Sequence, residues 1–299
     1  MDARQLTYFL AIVEHLNFNR AAEQLHIAQP SLSQAIRTLE HELGVPLFHR
    51  VGRGIVLSDA GEQLIEPARQ VIRDLDTAKA AVRSTRGLRR GRVELIAMPS
   101  PGMEPLSTII ARFTDDYPGM TLTVDAAFRP EEVVHAVKAG KAEVGLLGAA
   151  SAPHTQGLEV LHVEDQPLVL ISPPDLAPGT GPIRRSELAG MRLIASKRGS
   201  LMRQLVDDVL ASGVEAQVVV EVEHRTSILP MVLSGVGHAV MPSSWTPLAR
   251  RAGASVRAIQ PASLLRISLV SRKGPLTPAA RAFVGCVHTY IDRARPGDQ

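Results

Sequence analysis

Between residues 17 and 57 the chain reads NFNRAAEQLHIAQPSLSQAIRTLEHELGVPLFHRVGRGIVL, and no other stretch restricts the fold so strongly. Arg20 to Leu25 suits a short helix, followed by a turn through His26, Ile27, Ala28 and Gln29. A second helix then opens on Pro30, whose missing N–H would have no partner in a first helical turn. In it Leu32, Ala35, Ile36, Leu39 and Leu43 recur at the spacings of a helix with one buried side. The other side offers Ser33, Gln34 and Arg37, with Gln29, Pro30 and Ser31 at its start. Short or forked hydrogen-bonding groups of this kind reach base edges and phosphates from a major groove without filling it. After Gly44, Val45 and Pro46 comes a hairpin-like run in which Arg50 and Arg53 flank Gly52, with Gly54 following. Two arginines without a neighbouring acid are what a phosphate backbone attracts.

The same spacing has a plainer reading, since two short amphipathic helices joined by a tight turn occur in many all-α domains. Three sequence blocks separate the two. Phe18 to Ser33 reads F-x-x-A-A-x-x-L-x-x-x-Q-P-x-L-S, Leu43 to Arg50 reads L-G-V-x-L-F-x-R, and Arg53 to Gly61 reads R-x-x-x-L-S-x-A-G. In that order and spacing they resemble the N-terminal domain of the LysR-type transcriptional regulators, and the resemblance extends over essentially the whole chain. It implies a winged helix-turn-helix over residues 1–58 that contacts double-stranded DNA through Gln29, Pro30, Ser31, Ser33, Gln34, Arg37, Arg50 and Arg53. One departure stands in the reader. Many family members carry arginine where this chain has Gln34, and glutamine lowers the electrostatic share of affinity while remaining able to read adenine.

Charge supports a placed interface rather than a diffuse one. Residues 1–58 carry five Lys+Arg and five Asp+Glu, whereas residues 1–92 carry thirteen and ten. The excess therefore lies at Lys79, Arg83, Arg86, Arg89, Arg90 and Arg92, a run that reads as a solvated linker end rather than a DNA contact.

Between reader and linker end, Leu64, Ala68, Val71, Leu75, Ala78 and Val82 recur every three or four residues, the seam of a coiled coil. One helix over residues 59–90 would be on the order of 40 Å long and too narrowly apolar to stand alone in water. Self-association along the seam is the favoured reading, and packing on the chain's own domain is the alternative. Pro67 predicts a bend or a late helix start. In the LysR-type family this element dimerises the protein, and the resemblance implies a homotetramer built as a dimer of dimers.

From Arg92 the period changes. Strands at Val93 to Met98, Thr121 to Ala126 and Val144 to Leu147 alternate with helices near Met103 to Asp115 and Pro130 to Ala139. The order repeats with strands at Leu193 to Ala195, Ala216 to Val222 and His238 to Met241, and helices at Ser200 to Ser212 and Thr226 to Gly235. A β-α-β-α-β unit used twice predicts an α/β region of two subdomains, residues 91–161 with 268–299 and residues 162–267, crossed near Val160 to Pro167 and Pro261 to Leu269. It resembles the LysR substrate-binding domain, itself similar to type 2 periplasmic binding proteins, in which a small ligand sits between the subdomains. Small polar residues end the strands and open helices, so the effector candidates are Ser100, Arg129, Gly148, Ser200 and Thr226. The resemblance puts Ser100 at the cleft mouth. Ordinary helix capping accounts for Ser200 and Thr226 taken singly. Arg129 stands where the family commonly has a small hydroxyl residue, and it is open whether it pairs with an acidic effector or lies in solvent. Helix starts favour anions, so the effector is expected to be a carboxylate.

Enzyme chemistry finds little support. The single cysteine, Cys286, lies in an apolar terminal run and reads as packing, and one cysteine forms no internal disulfide, which fits a reducing compartment. No phosphate loop, nucleophile elbow or ligand-spaced histidine pair is present, so no catalytic residue, metal or cofactor is expected. The first residues run directly into an amphipathic helix at Leu6, Phe9, Leu10 and Val13, and no stretch has the apolar length of a membrane span, so a cytoplasmic protein is expected. The expected function is that of a DNA-binding transcriptional regulator switched by a small effector, with RNA polymerase left open as a further partner. The rival is a ligand-binding protein whose N-terminal domain serves only for assembly.

Overall fold

Asp2 starts the first helix by a reciprocal capping box: its carboxylate accepts from Gln5 N at 2.7 Å while Gln5 Oε1 accepts from Asp2 N at 2.8 Å. The computed structural model describes residues 1–51, 54–84, 91–150, 155–174, 181–198, 201–211 and 216–294. Arg53 and Ser200 lie outside the described residues, as do the side chains of Lys79, Val82, Arg83, Arg86, Arg89 and Arg90. Helix α1 (Ala3–His15) buries Leu6, Phe9 and Ile12. Helix α2 (Phe18–Gln24) is capped by Asn17, and α3 (Gln29–Leu43) follows, with Pro30 in its first turn as expected. Strands β1 (Phe48–Val51) and β2 (Gly54–Leu57) form the antiparallel wing, with Phe48 opposite Leu57 and Arg50 opposite Ile55. The Phe48 ring lies 5.6 Å from that of Phe9 and 5.9 Å from that of Phe18, so the wing is fastened to the helices by aromatic packing.

The expected stripe of α3 closes on this core at Leu32, Ile36 and Leu39. Leu43 leaves it and is 37% exposed, because the helix ends there and Gly44 turns the chain at φ +73°.

Helix α4 (Asp59–Ser84) is a single run of 26 residues with Pro67 inside it, so a late start is not observed. Its anchorage explains the early start. Ser58 Oγ donates to Pro46 O at 2.6 Å and accepts from Gly61 N at 3.0 Å, tying the first turn of α4 to the wing. The seam divides: Ala68 is buried and Leu64 packs on the reader's own core, whereas Val71 and Leu75 are 43% and 41% exposed. Packing on the chain's own domain therefore holds for the first half of the seam, while Val71 and Leu75 are left open.

The expected strands are present as β3 (Gly91–Ala97), β4 (Met120–Ala126), β5 (Val144–Ala149), β8 (Arg192–Ser196), β9 (Gln217–Val222) and β10 (His238–Pro242), the expected crossings are the strands β6 (Leu158–Ser172) and β12 (Leu264–Arg272), and β7 (Ile183–Arg184) and β11 (Ser255–Gln260) were not foreseen. The helices are α5 (Pro99–Met103), α6 (Leu106–Asp116), α7 (Pro130–Lys138), α8 (Leu201–Ala211), α9 (Ile228–Leu233), α10 (Thr246–Arg251) and α11 (Pro278–Ala294). The strand order is β4-β3-β5-β12-β6-β10-β8-β9, with β11 on β6 and β7. Parallel β4-β3-β5 and β10-β8-β9 are the two repeated units, joined by the long antiparallel pair β6 and β12 where the chain was expected to cross. Two helices differ from expectation. The one placed near Met103 to Asp115 is split into α5 and α6 around Glu104 and Pro105, and α9 is preceded by a 3-10 turn over Arg225–Ser227.

Cys286 of α11 is 4% exposed among core residues that include the edge-on pair Phe113 and Phe283, 5.7 Å apart. Burial pushes its thiol above the ordinary range. A disulfide-exchange reagent is therefore expected to label the native protein far more slowly than the unfolded chain. Equal rates would place the thiol at the surface.

The linker helix also grips the effector region. Arg69 Nη1 donates to Ala139 O at 3.0 Å and Arg73 Nη1 to Gly140 O at 2.6 Å, so two cations hold the carbonyl end of α7. Burial, with Arg272 close by, pulls the Arg73 guanidinium down to about 10. Gly140 is required here: its φ is +62°, and a Cβ would stand 2.3 Å from Arg73 Nη1. Arg73→Ala should weaken this dock by about 1.5 kcal/mol. Hydrogen exchange should then show faster exchange across the middle of α4, and unchanged protection there would contradict the dock.

Candidate nucleic-acid interface and effector cleft

Helix α3 presents Pro30, Ser31, Gln34 and Arg37 to solvent while Leu32, Ile36 and Leu39 are at most 2% exposed on its other side. Gln29 and Ser33 are half-buried and already engaged, Gln29 Nε2 donating to Ser33 Oγ at 2.8 Å. A groove of about 240 Å³ brings the start of α3 to the wing, lined among others by Asn17, Asn19, Gln29, Arg50 and Gly54. Arg50 is exposed on β1, and Arg53 lies outside the described residues. Sequence reasoning missed Asn17 and Asn19. Asn17 carries the signal of a helix cap, its side-chain oxygen accepting from Asn19 N at 2.9 Å and Arg20 N at 3.2 Å, and only the fold shows that this cap borders the wing.

Gln34 is exposed on α3, and the helix positions three and four residues from it, Pro30, Ser31, Arg37 and Thr38, carry no acid. Gln34→Arg is therefore expected to steepen the dependence of DNA affinity on salt by about one unit of log–log slope. An unchanged slope would remove this position from the interface.

In the effector region the carboxyl ends of three strands meet. Met98 N donates to Leu146 O at 3.0 Å, Ala127 N to Ala97 O at 3.1 Å, and Gly148 N approaches Met98 Sδ at 3.5 Å. These bonds bring Ser100, Phe128 and Gly148 to one end of the first unit. Ser100 is 1% exposed in the first turn of α5. A Cβ at Gly148 would stand 3.1 Å from Leu265 of β12, so the backbone there lies close against a crossing strand.

The second unit answers through the turn after β9. Arg225 Nη2 donates to Phe128 O at 3.4 Å, a bond between residues 97 positions apart that spans the cleft. Ser196 at the end of β8 is buried, and Thr226 is exposed beside Arg225. Arg129 does not join them. Its side chain is 70% exposed and its Nε lies 2.9 Å from Glu132 Oε1, so its charge is spent at the rim. The Phe128 N–H and then Arg129 hold the Glu132 carboxyl below its usual range. Lys197 and Glu223 form a matching rim pair at 2.8 Å. Ser200 lies outside the described residues. Arg225 is not among the candidates the sequence singles out, because an arginine between a strand and a helix usually lies in solvent and nothing local marks this one as 8% exposed.

Comparison with known proteins accounts for both halves of the chain. The family model for the bacterial regulatory helix-turn-helix protein, lysR family, matches residues 3–62, and that for the LysR substrate binding domain matches residues 86–292. The HTH-type transcriptional regulator IlvR of Caulobacter vibrioides is 29% identical over 96% of this chain and 97% of its own length. The RuBisCO operon transcriptional regulator of Allochromatium vinosum is 30% identical over 81% of this chain and 79% of its own. Among solved structures, CbnR, a LysR family transcriptional regulator, is 24% identical and covers 97% of this chain and 99% of its own with a TM-score of 0.68. CbnR complexed with its target DNA gives 0.59 at the same identity, covering 97% of this chain and 100% of its own. The effector binding domain of QuiR in complex with shikimate, 20% identical, covers 69% of this chain and 99% of its own with a TM-score of 0.56. The chain therefore belongs to the LysR family of DNA-binding transcriptional regulators, with a helix-turn-helix reader followed by an effector-binding domain.

Proposed function

We propose that this regulator reads its operator with Ser31, Gln34 and Arg37 of α3 and with Arg50 and Arg53 of the wing, while Gln29, bonded to Ser33, orients the start of α3 beside Pro30. The observation that carries the assignment is the two-sidedness of α3: three apolar anchors at most 2% exposed fix the helix, and its hydrogen-bonding side is left open next to an arginine-bearing hairpin. The effector is a small carboxylate held between the two α/β units, near Ser100, Gly148 and Thr226, with Ser200 at the same end of the second unit. Shikimate in the QuiR domain is one such acid.

Two copies pair through the exposed half of α4, where Val71, Leu75 and Ala78 form an apolar stripe, and two such dimers make the working tetramer in the cytoplasm. Coupling runs along α7. Its first residue follows Phe128 and Arg129 at the cleft, and the carbonyls of Ala139 and Gly140, just past its last turn, are held by Arg69 and Arg73 of the linker helix. A change of angle between the two units thus moves an element that the linker grips, and the spacing of paired readers changes with it.

The test is a gel-shift titration on the DNA flanking this regulator's own gene. Sequence-selective binding that weakens steeply with salt supports the reading. Binding to scrambled DNA of equal length with the same affinity would contradict it, and would favour the alternative in which the N-terminal domain serves assembly alone.

A further inference from the structure

Two arginines are buried among the described residues, and they are compensated very differently. Arg203 lies against two carboxylates, Asp207 at 2.7 Å and Glu221. Among the described residues Arg225, 8% exposed, has no acidic partner, and its guanidinium has one hydrogen-bond acceptor, the Phe128 carbonyl at 3.4 Å. That distance is long for an N–H···O bond. Burial lowers the guanidinium's pKa with no nearby carboxylate to oppose it, yet an arginine stays charged at neutral pH. A buried cation satisfied by one weak neutral bond is costly for the unliganded fold. No carboxylate among the described residues offsets that cost, and the group belongs to one unit while its partner belongs to the other.

We propose that Arg225 is the residue that reads the effector's negative charge, exchanging the Phe128 carbonyl for a carboxylate that it grips with two parallel N–H groups. The inference rests on the reading of the cleft as the effector site and names the group that sets its ligand class. The rim supports a single charge: Arg129 with Glu132 and Lys197 with Glu223 each cancel, and among the described residues Arg225 is the buried cation without a carboxylate. A monoanion matches it, with the buried Ser100 at the same end of the first unit as Phe128. The exchange releases the carbonyl that precedes α7, at the opposite end of that helix from Arg69 and Arg73.

A merely structural strut and an anion reader predict opposite effects when the charge is removed. Full-length wild type, Arg225→Gln and Arg225→Met are melted in chloride buffer and again in sodium acetate or sodium formate at the same ionic strength, the two smallest carboxylates serving as probes. The proposal expects both variants to be at least as stable as wild type in chloride, and expects acetate or formate to raise the wild-type Tm by about 3 °C more than that of either variant. Variants less stable than wild type in chloride would make Arg225 a strut and overturn it. Equal responses to the carboxylates in all three proteins would overturn it as well. A neutral metabolite that stabilises wild type and Arg225→Gln alike would leave the cleft as the effector site while removing its charge reader. An acetate response lost in Arg225→Gln, in a protein whose DNA affinity no cleft ligand changes, would do the reverse.

Discussion

Replacing Arg37 and Arg50 together by alanine is expected to lower operator affinity about a hundredfold, from roughly 1.5 kcal/mol for each lost charge-assisted contact. Both side chains are exposed, one on the open side of α3 and one on β1, so neither substitution removes core packing. The melting temperature should stay within about a degree or two of wild type, as for surface changes generally. The salt slope should also become shallower by about two, one for each phosphate-neutralising group. Fluorescence anisotropy on labelled operator DNA reads affinity and slope together. An affinity within twofold of wild type would remove these residues from the interface and revive the reading of the N-terminal domain as an assembly module.

The second large effect is structural and lies outside the DNA-facing surface. A Cβ on Gly61 would stand 2.2 Å from the Leu47 carbonyl oxygen and 2.8 Å from Leu57 Cδ2. The first of these is backbone, part of the link between α3 and the wing, and Ser58 fastens the same link from the other side. Gly61→Ala is therefore expected to cost about 3 kcal/mol, the upper range for overpacking, because neither the carbonyl nor the first turn of α4 can give way. The damage should stay local, since the reader's core is a cluster of its own, separate from those of the α/β units. Trp245, the one tryptophan in the chain, is 2% exposed inside the second unit and reports on that unit alone. Its fluorescence transition should stay in place while the helical circular dichroism of the reader melts earlier. A shift of both transitions by the same amount would mean that reader and effector region unfold as one.

Which features were legible from the sequence follows from the range of the interactions involved. Periodicity is local, so Leu32, Ile36 and Leu39 announced the buried side of α3, and repeated β-α-β units announced β3 to β5 and β8 to β10. The crossing strands β6 and β12 were legible because they interrupt that repeat. Strands β7 and β11 were not, being short or weakly alternating and held by partners distant in the chain. The seam of α4 was recognised, but its division was not: whether Ala68 meets α1 and Leu75 meets solvent depends on where the reader folds back. At the cleft, Ser100 was found by resemblance and Arg129 by its unusual identity. Only the fold shows that Arg129 is spent on Glu132 and that Arg225, bonded to the neighbouring Phe128 carbonyl, is a buried cation.

The central claim is that cleft and reader are one switch, and reciprocal linkage tests it most directly. A small acid that raises the melting temperature of the wild-type protein is titrated with and without operator DNA, and the operator is titrated with and without the acid. The account predicts that each ligand changes the other's dissociation constant by the same factor, about fivefold or more, as a coupling free energy of 1 kcal/mol or above requires. An acid that binds in the cleft while leaving operator affinity unchanged, with an equally unmoved affinity of its own in the presence of DNA, would contradict it.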